Sequence, residues 1–387
     1  MLGRAGRGAN VAWLAWSFGL WGLGFGLYAM LWPLYVEQLG GGPRAIGLLA
    51  TLAGLTTALV VLPGGVAADQ WDRRRLVIWG TVLAVPAPLV FAWAPRWEWL
   101  AVGIVLYFGT AFSIPATQAI LQQEAAGDLA RAYTTVMGAY AMGSVIGPAA
   151  GGWLAAHAGF RAVFYASAAL YALSALTLGP LDLGRAKTGP AALSPADWGF
   201  VRRPRFVRWT GVAALLTAAT GLASPYVVPF WRAFGGWDLG TIGLFGSVGM
   251  LAAALTTPLW GRVADRIGYA RALAAGLGFA VLGWTGVWIW PRDLAVQVAM
   301  AGIRGIGAGI AGIPGVAIGR VVHMAEAGRA YGLLNWVTEL AGALAPYPGA
   351  LLYQFQPSAP MVVTAAVWLL AAVWVATYDP PPRRVVF

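Results

Sequence analysis

The sequence predicts an all-α membrane protein, with twelve transmembrane helices arranged as two pseudosymmetric six-helix bundles. Its composition, its spacing of uncharged runs and an internal repeat lead to this. Of 387 residues, 59% are hydrophobic and 10% charged, against about 25% charge in an ordinary soluble domain. A bilayer core of about 30 Å needs about 20 apolar residues of helix. Runs of that size fall at 11–36, 44–68, 76–94, 98–121, 133–156, 161–179, 209–231, 240–261, 271–290, 294–318, 331–353 and 360–377, and they are numbered here as spans 1 to 12. Arg4 and Arg7 lead straight into a full-length first span, which is expected to be retained rather than cleaved as a signal peptide.

The net charge of +11 would suit nucleic acid only if the basic residues were gathered on a soluble surface. Instead, 19 of the 25 lie in the termini and alternate loops on one side, five lie on the other side, and Arg304 lies within span 10. Basic residues concentrate in cytoplasmic loops, so both termini are expected in the cytoplasm of a multi-pass protein of the cell (inner) membrane. The charge then serves topology and anionic lipid head groups, and no nucleic-acid partner is expected. The chain has no cysteine and only two histidines, His157 and His323, so no metal cluster is expected. The glycine runs at 22–26 and 305–309 neither join a strand to a helix nor precede a spaced acid. They read as helix packing rather than dinucleotide loops. No nucleophile and base fall together within the spans, so no enzyme and no cofactor are expected.

The second half echoes the first at offsets of 196 to 199 residues. Ile46-Gly47 recurs as Ile242-Gly243, Ile114-Pro115 as Ile313-Pro314, and Arg131-Ala132-Tyr133 as Arg329-Ala330-Tyr331; Pro148 matches Pro346 and Gly151 matches Gly349. The expected domains are therefore residues 1–180, a cytoplasmic linker at 181–208, and residues 209–387. Ser194-Pro195-Ala196-Asp197 resembles a helix start, which suggests a short interfacial helix in the linker. Two like bundles joined in this way can rock about a central site near the midplane, which is transporter architecture.

The run Gly65 to Arg74 after span 2, its copy Gly261 to Gly268 after span 8 and the run Gly143 to Gly152 in span 5 resemble motifs of the major facilitator superfamily, and the resemblance spans nearly the whole chain. The family's loop after span 2 reads G-x-x-x-D-[RK]-x-G-[RK]-[RK]. Here it stands as Gly65-Val66-Ala67-Ala68-Asp69-Gln70-Trp71-Asp72-Arg73-Arg74, departing at Gln70 and Asp72, and the cleaner copy after span 8 carries Gly261, Asp265, Arg266 and Gly268. The expected gate has the glycines permitting close helix packing, Asp69 facing the positive N-terminal end of span 11, and Arg73 pairing with Glu124 or Asp128. By resemblance, these contacts hold an outward-open state. In span 5, Gly143, Gly147, Pro148, Gly151 and Gly152 complete the G-x-x-x-G-P-x-x-G-G signature of the family's drug:proton antiporters, a packing and hinge element.

By these boundaries only Arg304 in span 10 and Glu339 in span 11 lie deep in the hydrocarbon. An ionisable residue there is a functional hypothesis by default. Each lies about ten residues, or about 15 Å, from a span end, so the two are expected to meet near the midplane. A lone carboxyl in hydrocarbon favours its neutral form, which suits proton uptake and release, whereas an Arg304 partner would hold it charged. Glu339 is the candidate proton exchanger and Arg304 the group setting its charge; the alternative is a structural salt bridge. Asn335, Thr338, Glu339 and Gly342 form a polar or small stripe on span 11, with Trp336 beside it. Other candidate substrate contacts are Tyr28, Trp32, Gln118, Gln122, Met137, Tyr140, Tyr226, Trp231 and Met250. The expectation is a monomeric, proton-coupled exporter of small amphipathic compounds working by alternating access. The alternative within the same fold is a sugar or metabolite transporter, by symport or facilitated passage. A receptor or membrane enzyme is a weaker reading, since neither explains duplicated gate loops.

Overall fold

The computed structural model describes residues 4–124, 129–181, 198–319, 321–322 and 327–378, and all regular structure among them is helical. Apolar spans must satisfy their own backbone polar groups where water is absent, and helices do so within one segment. Among the described residues ten helices are long and apolar enough to cross a membrane. One is the continuous run Leu129–Thr177, which Gly159, at φ 79° and ψ 171°, divides into spans 5 and 6. Span 11 adds the twelfth, broken at Ala345 into Ala327–Leu344 and Pro346–Phe355.

In the first half, span 1 is Arg4–Ala29, continued after a break by Trp32–Gln38. Span 2 is Pro43–Gln70, and span 3 comprises Arg73–Ala84 and Pro86–Trp93. Span 4 joins Leu100–Gly109 to Ile114–Glu124 through a 3-10 turn, Thr110–Ser113. The second half repeats the plan. Span 7 is Pro204–Ala223, then a 3-10 turn Ser224–Tyr226, Val227–Phe230 and a π-helical turn Trp231–Gly235. Spans 8 and 9 are Leu239–Ile267 and Tyr269–Ile289. Span 10 joins Leu294–Ala308 to Ile313–Gly319 through the 3-10 turn Gly309–Gly312, at the place where span 4 has its own. Span 12 is Ala359–Tyr378.

Span 7 begins at Pro204, five residues before the uncharged run. Proline suits the first helical turn, and Arg205 and Arg208 extend the helix beyond its apolar core. Residues 182–197 of the expected linker lie outside the described residues, and a 3-10 turn, Gly199–Arg202, leads from there into span 7.

The chain forms two compact units. The first holds spans 1 to 6 together with Asp238–Ser247, and the second holds span 7, span 8 from Val248, and spans 9 to 12. The first unit is centred on an aromatic core. Tyr28 and Tyr171 share a hydroxyl hydrogen bond of 3.1 Å, Trp21 donates to the Tyr107 hydroxyl at 3.0 Å, and Ser17 pairs with Ser174 at 2.8 Å. These groups satisfy one another, as buried polar groups must. In the second unit spans 7, 9 and 11 run from a near side, which carries Pro204 and Tyr378, to a far side, and spans 8, 10 and 12 return.

Candidate functional site

The second unit contains a cavity of about 760 Å³ between spans 7, 9, 10 and 11, of a size that holds small-molecule ligands. Thr217, Thr220 and Ser224 reach it from span 7 at helical spacing, and Tyr331, Asn335 and Thr338 from span 11. Leu277, Ile310, Pro314, Val316 and Trp368 supply much of the apolar wall. The breaks in these helices shape it, since the 3-10 turn Gly309–Gly312 contributes three wall residues and the turn at Ser224 ends the threonine stripe.

Arg304 and Glu339 do not form the expected pair; among the described residues no ion pair joins them. The Arg304 guanidinium lies between two indoles, 5.1 Å from the Trp231 ring and 5.0 Å from the Trp284 ring, in cation–π geometry. Its Nη1 finds no hydrogen-bond partner among the described residues. The reason lies in helix direction. Side chains lean toward the N-terminus of their own helix, so Arg304 on span 10 leans to the far side and Glu339 on span 11 to the near side. Leu294–Ala308 also packs on span 9, whereas span 11 packs on span 7. Glu339 is exposed and stands one residue beyond the cavity stripe, outside the wall. Beside Arg304, the fully buried Gln297 accepts from Trp231 Nε1 at 2.7 Å and donates to the carbonyls of Gly286, Val287 and Trp290. Trp231 is therefore part of a brace across spans 7, 9 and 10 rather than a cavity residue.

Of the candidate substrate contacts, Asn335 and Thr338 line this cavity. Tyr226 is wholly buried, donating to the Pro346 carbonyl at 2.6 Å and stacking on Tyr353. Tyr28 belongs to the aromatic core of the first unit, and Met137 packs on a buried cluster there. Trp32 and Tyr140 are partly buried, and Gln118, Met250 and Trp336 are exposed away from the cavity wall. The side chain of Gln122 lies outside the described residues. Sequence reading missed Thr217, Thr220, Ser224 and Tyr331, although the first three repeat at i, i+3 and i+7.

The gate loops solve one turn in two ways. In the first copy Asp72 accepts from the N–H groups of Arg74 and Arg75, capping span 3, which accounts for the departure from the family glycine. In the second, Gly268 sits at φ 93° with no side-chain cap, a conformation that favours glycine. Arg73 Nε donates to the Ala68 carbonyl at 3.0 Å and Arg74 Nη2 to the Gly179 carbonyl at 2.7 Å. Asp128 lies outside the described residues, as do the side chains of Asp69 and Glu124. Asp265 accepts from Tyr269 at 3.1 Å, and Arg266 is exposed. Among the described residues a Cβ on Gly65 or Gly261 would meet nothing within 4 Å, whereas one on Gly64 would strike the Phe112 backbone. In the first copy the close helix approach falls at Gly64, one residue before the motif glycine. Outside the spans, Asp238 caps span 8, and hydrogen bonds from the hydroxyl and N–H of Thr241 hold its carboxyl below the usual range.

The span 5 glycines do pack closely. A Cβ on Gly143 would meet the backbone at Gly19 and Leu23, one on Gly147 the backbone of Gly26, and one on Gly151 the Leu27 carbonyl. Gly152 and Pro148 abut Gly243 within the first unit. In the second unit Gly349 meets the Leu222 carbonyl, which repeats the Gly151 contact.

A family model described as Major Facilitator Superfamily matches residues 14–235 and again 212–386. The chain belongs to the Major Facilitator Superfamily. It is a secondary transporter, a multi-pass membrane protein that handles a small-molecule substrate and not an enzyme. Multidrug resistance protein MdtG of Klebsiella pneumoniae is 30% identical over 292 residues, covering 70% of this chain and 69% of that protein. MdtG of Escherichia fergusonii is 29% identical over 295 residues, covering 71% and 70%. The crystal structure of a point mutant of the nucleoside transporter NupG superposes with a TM-score of 0.82 at 14% identity, covering 96% of this chain and 100% of that one. A bacterial homolog of the human lysosomal transporter Spinster, in an inward-facing and occupied conformation, gives 0.77 at 16%, covering 96% and 95%. These two share the superfamily fold.

Proposed function

We propose that this facilitator is a proton-coupled exporter of small amphipathic compounds. It works as a monomer by alternating access between domains at 1–180 and 209–387, joined by a linker at 181–208, in a cell membrane with both termini cytoplasmic. The observation that carries this reading is the antiporter signature in span 5, whose Gly143, Gly147 and Gly151 all sit against the main chain of span 1. The relatives bearing the name multidrug resistance protein support the same reading.

Glu339 is the proposed proton carrier, since among the described residues it is the one carboxyl at membrane depth and is not tied to Arg304. Arg304 acts as a brace between Trp231 and Trp284. In proteoliposomes under an imposed pH gradient, a transported solute should release protons, and Glu339→Gln should abolish that release while the protein keeps its melting temperature. Solute flux with no proton movement, equal in the variant, would overturn antiport. The second reading, sugar or metabolite transport, is favoured by the uncharged, hydroxyl-lined cavity and by the likeness to a nucleoside transporter, and that second result would establish it.

A further inference from the structure

The cavity wall carries a pattern of hydrogen bonding that constrains what can bind. Among the described residues lining it, none bears a formal charge. Its hydroxyl protons are largely committed. Thr217 donates to the Ala213 carbonyl at 2.9 Å, Thr220 to Leu216 at 2.8 Å, Thr338 to Leu334 and Asn335 at 3.0 and 2.9 Å, and Tyr331 to Gly315 at 3.1 Å. A hydroxyl has one proton and two lone pairs. Once the proton is returned to the helix, the oxygen can only accept. The wall therefore presents four acceptor oxygens, while the side chains of Ser224 and Asn335 keep both donor and acceptor capacity and have no partner among the described residues.

We infer that this cavity takes an uncharged amphipathic solute that donates hydrogen bonds, through O–H or N–H groups, to Thr217 and Thr220 of span 7 and to Tyr331 and Thr338 of span 11. Its apolar body packs on the wall of Leu277, Ile310, Val316 and Trp368. This inference rests on the transporter reading and deepens it. An anion would find donors at Ser224 and Asn335 alone among the lining side chains, against four acceptor oxygens and no countercharge. An organic cation would find acceptors but no countercharge in the wall, and burying an uncompensated charge costs more than burying a neutral donor. Arg304 cannot recruit an anion here, because its guanidinium is stacked between indoles and is not part of the wall.

The test uses the full chain in nanodiscs and four probes built on one aromatic ring system: a diol, its dimethyl ether, a quaternary ammonium and a carboxylate. Calorimetric titration should show the diol binding tightest, with the dimethyl ether about a hundredfold weaker, the effect expected from losing two buried donors at about tenfold each. Thr220→Val and Thr338→Val keep the β-branched shape and remove the acceptor. Each should weaken the diol about tenfold, leave the ether unchanged and keep the melting temperature. If the ammonium binds as tightly as the diol, or the ether equals it, the inference falls.

Flux of the tightest binder into vesicles separates this inference from the reading beneath it. Diol-selective binding with diol flux that moves no protons upholds the inference and removes the proton-coupled exporter reading. Ammonium binding accompanied by ammonium flux removes the inference and leaves the transporter reading standing.

Discussion

Arg304 shows how a buried charge can be held without an opposite one. An arginine at membrane depth is costly unless it finds polar or π partners, and here two indole faces lie at 5.0 and 5.1 Å. Each face contributes about 2 kcal/mol where water is excluded. Trp284→Leu removes one face and should lower the melting temperature, and Arg304→Met in the same background should recover part of that loss, since the charge left without its face is then gone. A thermal double-mutant cycle should yield a coupling of about 2 kcal/mol between the two positions; additive losses would mean that the stacking contributes nothing. The position of Arg304 and Glu339 inside their spans, away from the ends, was legible in the sequence. Their failure to meet follows from the opposite lean of side chains on antiparallel helices, which depth alone does not register. Thr217, Thr220 and Ser224 escaped notice for a related reason, because threonine inside an apolar helix ordinarily returns its proton to the main chain and looks like filler.

At the scale of elements, the repeat identified in the sequence marks where helices break and where they touch. Ile114-Pro115 and Ile313-Pro314 each follow a 3-10 turn, and Gly151 and Gly349 each meet a main-chain carbonyl of a neighbouring span. Gly147→Val would drive a branched side chain into the Gly26 backbone, and overpacking of this kind costs about 1–3 kcal/mol or more. Expression and melting temperature should both fall. Gly65→Ala, which meets open space inside a helix, should lower neither and should raise stability by up to about 1 kcal/mol, although Gly65 is the family's own motif position. The gate turns carry a companion prediction. Asp72→Ala should cost about 1 kcal/mol through loss of the cap, while Gly268→Ala should cost about 1–3 kcal/mol through strain at φ 93° and ψ 152°. Thermal unfolding of the two variants checks both. The motif pattern alone could not separate these mechanisms, because it names the turn and not the way each copy closes it.

For the whole molecule, the charge of the cargo decides what drives the cycle. If an uncharged solute leaves while one proton enters on Glu339, each turnover carries one net positive charge inward. The membrane potential then works on the cycle directly, at about 2.3 kcal/mol per charge per 100 mV. With no pH difference, a potential of about 100 mV, negative on the side from which solute is exported, should sustain a solute gradient of about fiftyfold by that arithmetic. The measurement is solute distribution in vesicles clamped with a potassium gradient and an ionophore, at equal pH inside and out. Glu339→Gln should lose the response to potential together with the response to pH, because one group carries both. A gradient that follows pH but ignores potential would mean that a monovalent cation leaves for each proton entering, which overturns the uncharged cargo and leaves antiport intact. Response to neither force would return the chain to facilitated passage, with the Arg304 brace and the cavity acceptors serving selectivity alone.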